Sequence, residues 1–344
     1  MRRFPLVLAV LAAALLAPAG ALAHSGQTGG TDYRSSLTAV PDGVSARMIG
    51  GDDRIEITRT TASQVMIPGY GGEPYLRLDA QGTWENRNSP AVALNDVRRT
   101  SEAIPNAATK IAPDWVQIST GTSVVFHDHR AHWMGSQPPA KVRADPDREQ
   151  VLYDWSFPLT IDGTEAEIRG DLTWLGAPMT WLWWTLTALA VIAAAAIGSV
   201  RRVPANLAAI IGTLAAILAS LLSGVSQQLD LPDGTSGALV AVAIAAVLLA
   251  VGLGLGHRLR AVPAHATTVL FLVALVAGGG QLVALAGNAF SYALVPGPLP
   301  TLLTRLLVIV GLAGVALAAG ACARAWRTLL ADLPPQPTTK APTW

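Results

Sequence analysis

The chain of 344 residues is unusually apolar, because 51% of its residues are hydrophobic and only 14% are charged. Soluble domains carry about 25% charged residues, so part of this chain is expected to lie in a membrane. The formal net charge of +1, without a basic stripe, argues against a nucleic-acid partner. The single cysteine, Cys322, excludes an intramolecular disulfide. A metal site in the N-terminal half would therefore use nitrogen, oxygen or thioether ligands.

Residues 1–23 are predicted to form a secretory signal peptide. Two arginines near the N-terminus precede an apolar segment that is shorter than a typical transmembrane helix. Cleavage after Ala23 would make His24 the first residue of the mature chain, and its α-amine and imidazole could then bind one ion together. Cleavage after Ala21 would abolish that chelate, and the sequence leaves both cleavage positions open.

Residues 24–175 are predicted to form an antiparallel β-sandwich. Apolar and polar residues alternate in five short runs, at residues 54–58, 75–79, 115–119, 151–157 and 166–174. Turns rich in glycine, proline and aspartate separate these runs, as is typical of all-β domains. Residues 86–114 form the longest stretch without strand character, and we expect a functional or mobile loop there.

Residues 125–134, with the sequence VFHDHRAHWM, hold the highest concentration of potential metal-binding and charged side chains in this domain. We expect the strand to run over residues 123–130, because side chains alternate between the faces of a strand. One face would then carry His127 and His129, and the other would carry Asp128 and Arg130. His132 would follow where the chain bends.

The three histidines suggest a metal site with imidazole ligands. Copper suits three imidazoles, joined by the thioether of Met134 or by His24, and zinc is the alternative if the thioether is not used. Hydrogen bonds from an imidazole to a carboxylate orient metal ligands, and the candidates for that role are Asp128 and Asp154. Arg130 is expected beside them.

A structural interpretation of the same residues stays open. Asp128 and Arg130 could pair with each other, Trp133 and Met134 could belong to the core, and the histidines could make ordinary hydrogen bonds. A catalytic interpretation is weaker, because the nearby serines lack a nucleophile elbow and no carboxylate pair is evident. The sequence therefore does not predict an enzyme.

Three sequence motifs in the N-terminal half are similar to those of a known group of proteins: GYGGEPYLR at residues 69–77, ENRNSPA at 85–91 and HDHRAHWM at 127–134. With them the chain resembles a group of bacterial exported multi-pass membrane proteins that has no assigned activity. This resemblance implies an architecture rather than a chemistry.

The chain is also loosely similar to CopC-type and YcnI-type periplasmic copper proteins. Those are β-sandwiches whose terminal histidine binds copper, a role that would fall on His24 with His127 or His129 as its partner. The apolar, proline-rich phrase that follows the terminal histidine in CopC is replaced here by residues 25–30, SGQTGG. This departure weakens the expected chelate, but not the sandwich.

Residues 176–324 are predicted to form a bundle of five transmembrane helices, at about 180–199, 204–224, 237–256, 266–286 and 300–321. Positive charges follow the first, third and fifth spans. The positive-inside rule then agrees with the signal peptide. We expect a plasma-membrane protein with an extracytoplasmic β domain and a cytoplasmic, proline-rich tail at 325–344. Arg305, in the last span, is either functional or a snorkelling side chain.

Two hypotheses for the function follow from these observations. The first is a membrane-anchored, extracytoplasmic copper-binding protein that acts in copper handling or delivery. The second is a scaffold without a metal, whose β domain binds another envelope or membrane protein and whose histidines have a structural or recognition role. In both hypotheses the helices anchor the chain in the lipid bilayer.

Overall fold

The computed structural model describes residues 30–96, 110–230, 234–258 and 263–332. Antiparallel strands occupy the region from Tyr33 to Trp174, and long apolar helices occupy the region from Thr180 to Ala331. The predicted fold class, an all-β sandwich followed by an all-α bundle of five long helices, is therefore confirmed. The predicted signal peptide and His24 lie outside the described residues.

The described part of the β domain contains ten strands in two antiparallel sheets. The strands are β1 (Tyr33–Ala39), β2 (Val44–Ile49), β3 (Arg54–Arg59), β4 (Val65–Pro68), β5 (Pro74–Asp79), β6 (Gly82–Asn86), β7 (Trp115–Ser119), β8 (Ser123–Phe126), β9 (Gln150–Ile161) and β10 (Thr164–Trp174). The larger sheet has the order β1-β10-β9-β4-β5-β6-β7, and the smaller sheet has the order β2-β3-β8. All five predicted runs coincide with strands.

The hairpin of β9 and β10 forms the longest ladder of the larger sheet. Its pairing extends from Ile161 with Thr164 to Gln150 with Trp174. The turn consists of residues 162 and 163, an Asp-Gly pair with φ angles of 51° and 80°. Two-residue turns of this kind need positive φ at both positions, which is why Asp-Gly is a strong hairpin signal.

The core of the β domain lies between the two sheets. Ile57 of β3 and Phe126 of β8 come from the smaller sheet, and Leu78 of β5 and Phe157 of β9 come from the larger one. The rings of Phe126 and Phe157 meet edge to face, with 6.3 Å between their centroids. Burying each such side chain stabilises the fold by about 1.5–3 kcal/mol.

Two short helices lie within the β domain, α1 (Pro90–Asn95) and α2 (Ala140–Ala144). α1 occupies part of the stretch 86–114 that we expected to be a loop. The hydroxyl of Ser89 accepts a hydrogen bond from the backbone N–H of Ala91, and proline stands at the first helical position. Both features favour a helix start, so a helical turn forms where the sequence lacks strand character.

Five long helices follow: α3 (Thr180–Ser199), α4 (Ala205–Leu229), α5 (Gly234–Arg258), α6 (Pro263–Ser291) and α7 (Thr301–Ala331). Each of these helices in the described residues is long and apolar enough to cross a membrane. The chain is therefore a multi-pass membrane protein embedded in the lipid bilayer. All five predicted spans are confirmed, although α7 continues past residue 324, where we expected the tail to begin.

Helix α7 packs closely against α3 and α4 because small residues line the contacts. A Cβ atom added to Gly212 of α4 would lie 2.3 Å from the carbonyl oxygen of Gly314, and one added to Gly320 would lie 2.3 Å from the carbonyl oxygen of Ala195 in α3. Helices in membranes associate through such small residues, since the lipid supplies no hydrophobic driving force.

Arg305, the charged residue in the last span, has a structural role. Its Nε donates to the carbonyl of Ala289 at 2.7 Å, and its Nη2 donates to the carbonyl of Tyr292 at 2.8 Å. The guanidinium also lies over the ring of Trp183. Arg305 therefore satisfies carbonyls at the C-terminal end of α6, where a cation is favourable.

The β domain is hydrogen-bonded to the loops at one end of the helix bundle. Thr31 and Leu294, in the loop between α6 and α7, exchange two backbone hydrogen bonds of 3.1 and 2.9 Å. Beside them, the Oδ1 atom of Asp32 accepts from the backbone of Ala293 at 2.8 Å. Asp230, the last residue of the described part before α5, accepts from the backbone of Gly50.

Candidate functional site

The predicted strand over residues 123–130 is wrong in its second half. β8 ends at Phe126, and His129–Ala131 form a short 3-10 helix. The Oδ1 atom of Asp128 accepts from the backbone N–H of Arg130 at 2.9 Å and caps this turn. Aspartate side chains compete with strand ladders through such local hydrogen bonds, so the chain leaves the sheet after Phe126, and His127 lies just outside the strand.

The turn nevertheless brings the three histidine rings together. The centroid of the His127 ring lies 5.0 Å from that of His129 and 5.2 Å from that of His132, and both contacts are edge to face. His127 is therefore the central ring of the cluster. The ring of His129 also stacks on Tyr70 at 5.8 Å, and its backbone N–H donates to the Tyr70 hydroxyl.

His127 and His132 are buried, with 8% and 1% of their surfaces exposed. Each uses Nδ1 for a hydrogen bond to a residue outside the cluster. The Nδ1 atom of His127 bonds to the backbone carbonyl of Asp53, and the Nδ1 atom of His132 lies 2.7 Å from the Oδ2 atom of Asp52. Within the described part of the chain, the Nε2 atoms of both rings are buried without a hydrogen-bond partner.

These hydrogen bonds select one tautomer. A carbonyl or carboxylate oxygen only accepts, so each Nδ1 carries the proton, and in the neutral ring Nε2 keeps its lone pair. Burial lowers the pKa of His127 below its ordinary value of 6.5; the bond to the Asp53 carbonyl opposes this effect and the neighbouring His132 adds to it. His127 is therefore neutral at pH 7. A neutral imidazole with a bonded Nδ1–H and an available Nε2 is the form that binds metals.

Asp52 connects the histidine cluster to the edge of the β domain. Its Oδ2 atom contacts His132, and its Oδ1 atom accepts from the hydroxyl of Thr31 at 3.0 Å. Asp52 is itself buried, with 1% exposed. Because Thr31 pairs with Leu294, a continuous set of hydrogen bonds runs from the His132 ring to the loop between α6 and α7.

Asp128 and Arg130 bond to each other rather than orienting a ring. The Nε and Nη2 atoms of Arg130 donate to the two oxygens of Asp128 at 2.9 and 2.6 Å. The guanidinium lies 5.1 Å from the Tyr70 ring centroid and 5.3 Å from that of Phe157. This pair fixes the turn against the core, as the structural interpretation expected. Burial raises the pKa of the Tyr70 hydroxyl, which therefore stays protonated.

The remaining predicted site residues lie apart from the three rings. Asp154 is an exposed residue of β9, and the carboxylate that bonds to an imidazole is Asp52 instead. Met134 is half-buried two residues beyond His132. His24 is among the residues that the structure does not describe.

The side chains of the described residues do not form a ready three-ligand metal site. No group of three or more histidine, cysteine, aspartate or glutamate side chains in residues 30–96, 110–230, 234–258 and 263–332 is arranged to hold a metal ion. The Nε2 atoms of His127 and His132 offer two nitrogen ligands. The third ring, His129, is half-buried and stacks on Tyr70.

A cavity of about 370 Å³ opens beside the cluster, and His127 forms part of its wall. Three acidic residues, Asp53, Glu85 and Asp96, line it together with one cation, Arg54. Arg54 is paired with Asp53 at 2.9 Å. Burial, followed by repulsion from Asp96, raises the pKa of Glu85. The excess of carboxyl groups favours a cation in this cavity.

Sequence reasoning missed the two partners of the buried rings, Asp52 and Asp53. They follow two glycines in a turn between β2 and β3, where aspartate is common for local reasons. Asp52 lies 80 residues from His132 in sequence, so no local spacing connects them. Two adjacent aspartates in a glycine turn were the one available signal.

Comparison with protein-family models, with curated proteins and with solved structures finds no match to this chain. The function is therefore argued from the geometry of the site.

Proposed function

We propose that this protein is a membrane-anchored copper-binding protein that acts in copper handling or delivery. His127 and His132 are the two fixed ligands, and His129 is the third after rotation of its side chain. Zinc is the alternative metal, since three imidazoles suit both ions.

One observation carries the proposal: the buried Nε2 atoms of His127 and His132, which have no hydrogen-bond partner within the described residues. A buried polar atom without a hydrogen bond costs about 1–3 kcal/mol, so each such atom calls for an explanation. Here two of them occur on rings whose centroids are 5.2 Å apart. A metal ion between the rings would use both lone pairs.

The acidic cavity supports the same proposal. It places carboxyl groups next to His127, and a cleft lined by one sign of charge concentrates the opposite ion. In the metal-bound state Asp52 would hold the His132 ring in place through Nδ1, as carboxylates do for metal-bound histidines. If the mature chain begins at His24, its amine and ring would offer further ligands.

The proposal includes an orientation in the plasma membrane. Arg201 and Arg202 follow α3, Arg258 ends α5, and Arg324 and Arg327 lie near the end of α7. All five lie away from the loops that contact the β domain. By the positive-inside rule this end is cytoplasmic, which makes the β domain extracytoplasmic. A fluorescent protein that folds in the cytoplasm should fluoresce when fused to the C-terminus, whereas a periplasmic phosphatase fused there should be inactive.

The test is titration of the full-length protein in detergent with Cu²⁺ and Zn²⁺ by calorimetry. A variant with alanine at positions 127, 129 and 132 should lose binding, whereas a control with alanine at His257 and His265, on α5 and α6, should retain it. The single variant His129→Ala should weaken binding and keep the fold, because its ring is only half-buried. Equal affinities for the wild type and the triple variant would refute the proposal.

A second candidate function is a scaffold that binds another envelope or membrane protein. The observation in its favour is that no three-ligand group is formed in the described residues, while both Nδ1 atoms have protein partners. In that case the histidines join the turn after β8 to the turn between β2 and β3. Copper would then leave the melting temperature of the wild type unchanged, whereas a ligand of the native state must raise it.

A further inference from the structure

The end of the helix bundle away from the β domain holds a buried cation that has no counterion among the described residues. Arg324 of α7 is only 7% exposed, and its Nη1 and Nη2 atoms are buried without a hydrogen-bond partner in the described part of the chain. A buried charge is normally paired, because its removal from water costs several kcal/mol. The guanidinium therefore needs a partner that the described residues do not supply.

Helix packing places Arg324 where α7 meets the end of α3 and the start of α4, a position that we call the notch. It follows Gly320, whose backbone meets Ala195 near the end of α3, by one helical turn on the same face. It also follows Ala321 by three positions, and Ala321 belongs to one buried cluster with Ala208 and Ala209 near the start of α4. One turn further along α7, at the height of Arg324, the neighbouring elements are the loop between α3 and α4 and the first turn of α4.

That first turn of α4 offers backbone donors. Pro204 stands at the N-cap and gives no side-chain hydrogen bond to the helix. The first backbone N–H groups of a helix have no partner inside it, and the helix dipole adds partial positive charge there. The Oδ1 atom of Asn206, in the same turn, is also buried without a partner. Turning this amide by 180° would add another N–H donor.

The charges around the notch have the same sign. Arg201 and Arg202, in the loop between α3 and α4, are exposed, as is Arg327 one turn beyond Arg324. The acidic residue described nearest along this part of α7 is Asp332, at the C-cap two turns away. The N–H donors and the buried guanidinium together suit an anion, since guanidinium forks and helix N-termini both bind phosphate, whereas the exposed arginines add only diffuse positive charge around the site.

We propose that the notch between α3, α4 and α7 binds a phosphate group, with Arg324 and the first turn of α4 as its donors. The group is either the headgroup phosphate of an anionic lipid or a soluble phosphate. This site lies at the opposite end of the bundle from the histidine cluster and is independent of the copper proposal.

The test uses the full-length protein in mild detergent and native mass spectrometry, with phosphatidylglycerol, phosphatidylcholine or inorganic phosphate added separately. The variant Arg324→Gln should retain at least tenfold less phosphatidylglycerol than the wild type. Arg327→Gln removes the same charge from an exposed position of the same helix and should retain as much as the wild type. Inorganic phosphate that binds the wild type and displaces the lipid would identify a soluble anion as the ligand.

Two further variants keep the result decisive if Arg324→Gln folds poorly. Arg324→Lys keeps the charge without the planar fork and should bind with intermediate strength. Arg324→Met replaces the cation by an apolar side chain and should abolish retention while the protein stays folded. Equal losses in the Arg324 and Arg327 variants, or none in either, would overturn the proposal and leave only diffuse attraction between basic residues and lipid.

Discussion

The close contact between α4 and α7 at Gly212 predicts the effect of adding a single methyl group. Substituting alanine at Gly212 would place its Cβ atom 2.3 Å from the carbonyl oxygen of Gly314, whereas ordinary contact begins at 3.4 Å. The difference means that α4 and α7 must separate by about 1 Å, and a gap of that size forfeits a quarter to a half of each dispersion contact. We expect Gly212→Ala to destabilise the protein by about 1–3 kcal/mol, the usual cost of overpacking.

Gly280 of α6 is the matched control, because a Cβ atom added there meets nothing within 4 Å. Gly280→Ala should be neutral or stabilise its helix by about 0.5–1 kcal/mol. The same substitution is therefore expected to have opposite signs at the two positions. Reversible unfolding in mixed micelles with increasing dodecyl sulfate, followed by helical circular dichroism, measures both. Equal unfolding midpoints would show that α4 and α7 do not meet as described.

Three further changes test the β domain in the full-length protein. Burial raises the pKa of Asp32 above its ordinary value of 3.8. The folded state therefore holds a proton more tightly than the unfolded state, and the stability of the protein falls as the pH rises from 3.8 through the raised pKa. Asp32→Asn should remove this pH dependence and be more stable than the wild type at pH 7, which denaturant titrations at several pH values would show. Arg130→Lys loses the fork to Asp128 and the ring contacts, and should cost about 2–3 kcal/mol by tryptophan fluorescence. Phe157→Ala should cost about 3–5 kcal/mol by the same measurement, and a smaller loss than Arg130→Lys would contradict the described core.

Much of the fold follows from local patterns in the sequence. Residues 115–119 alternate in polarity and form β7 with those same bounds, and the Asp-Gly pair at 162–163 forms the turn of the longest hairpin. The five spans follow from length and hydropathy alone. These features are predictable because the physical cause of each lies within one short segment of the chain.

The candidate site was harder to predict because its causes are not local. The strand pattern continues through His127 and His129, but the carboxylate of Asp128 bonds to Arg130 two residues on and turns the chain out of the sheet. The rings still converge, through a turn instead of a strand face. The partners of the buried rings come from another turn far along the chain, and only the folded structure brings Asp52 to His132.

The backbone pairing of Thr31 with Leu294 sets an order for the assembly of this protein. Asp32 and its partner Ala293 are 261 residues apart, so the ribosome completes the β domain long before the loop between α6 and α7 exists. At 5–20 residues per second, about 10–50 s separate the synthesis of Asp32 from that of Ala293. During that time Asp32 has no partner from the loop between α6 and α7. The last two of the five helices to be inserted thus carry the loop that pairs with Thr31, beside β1.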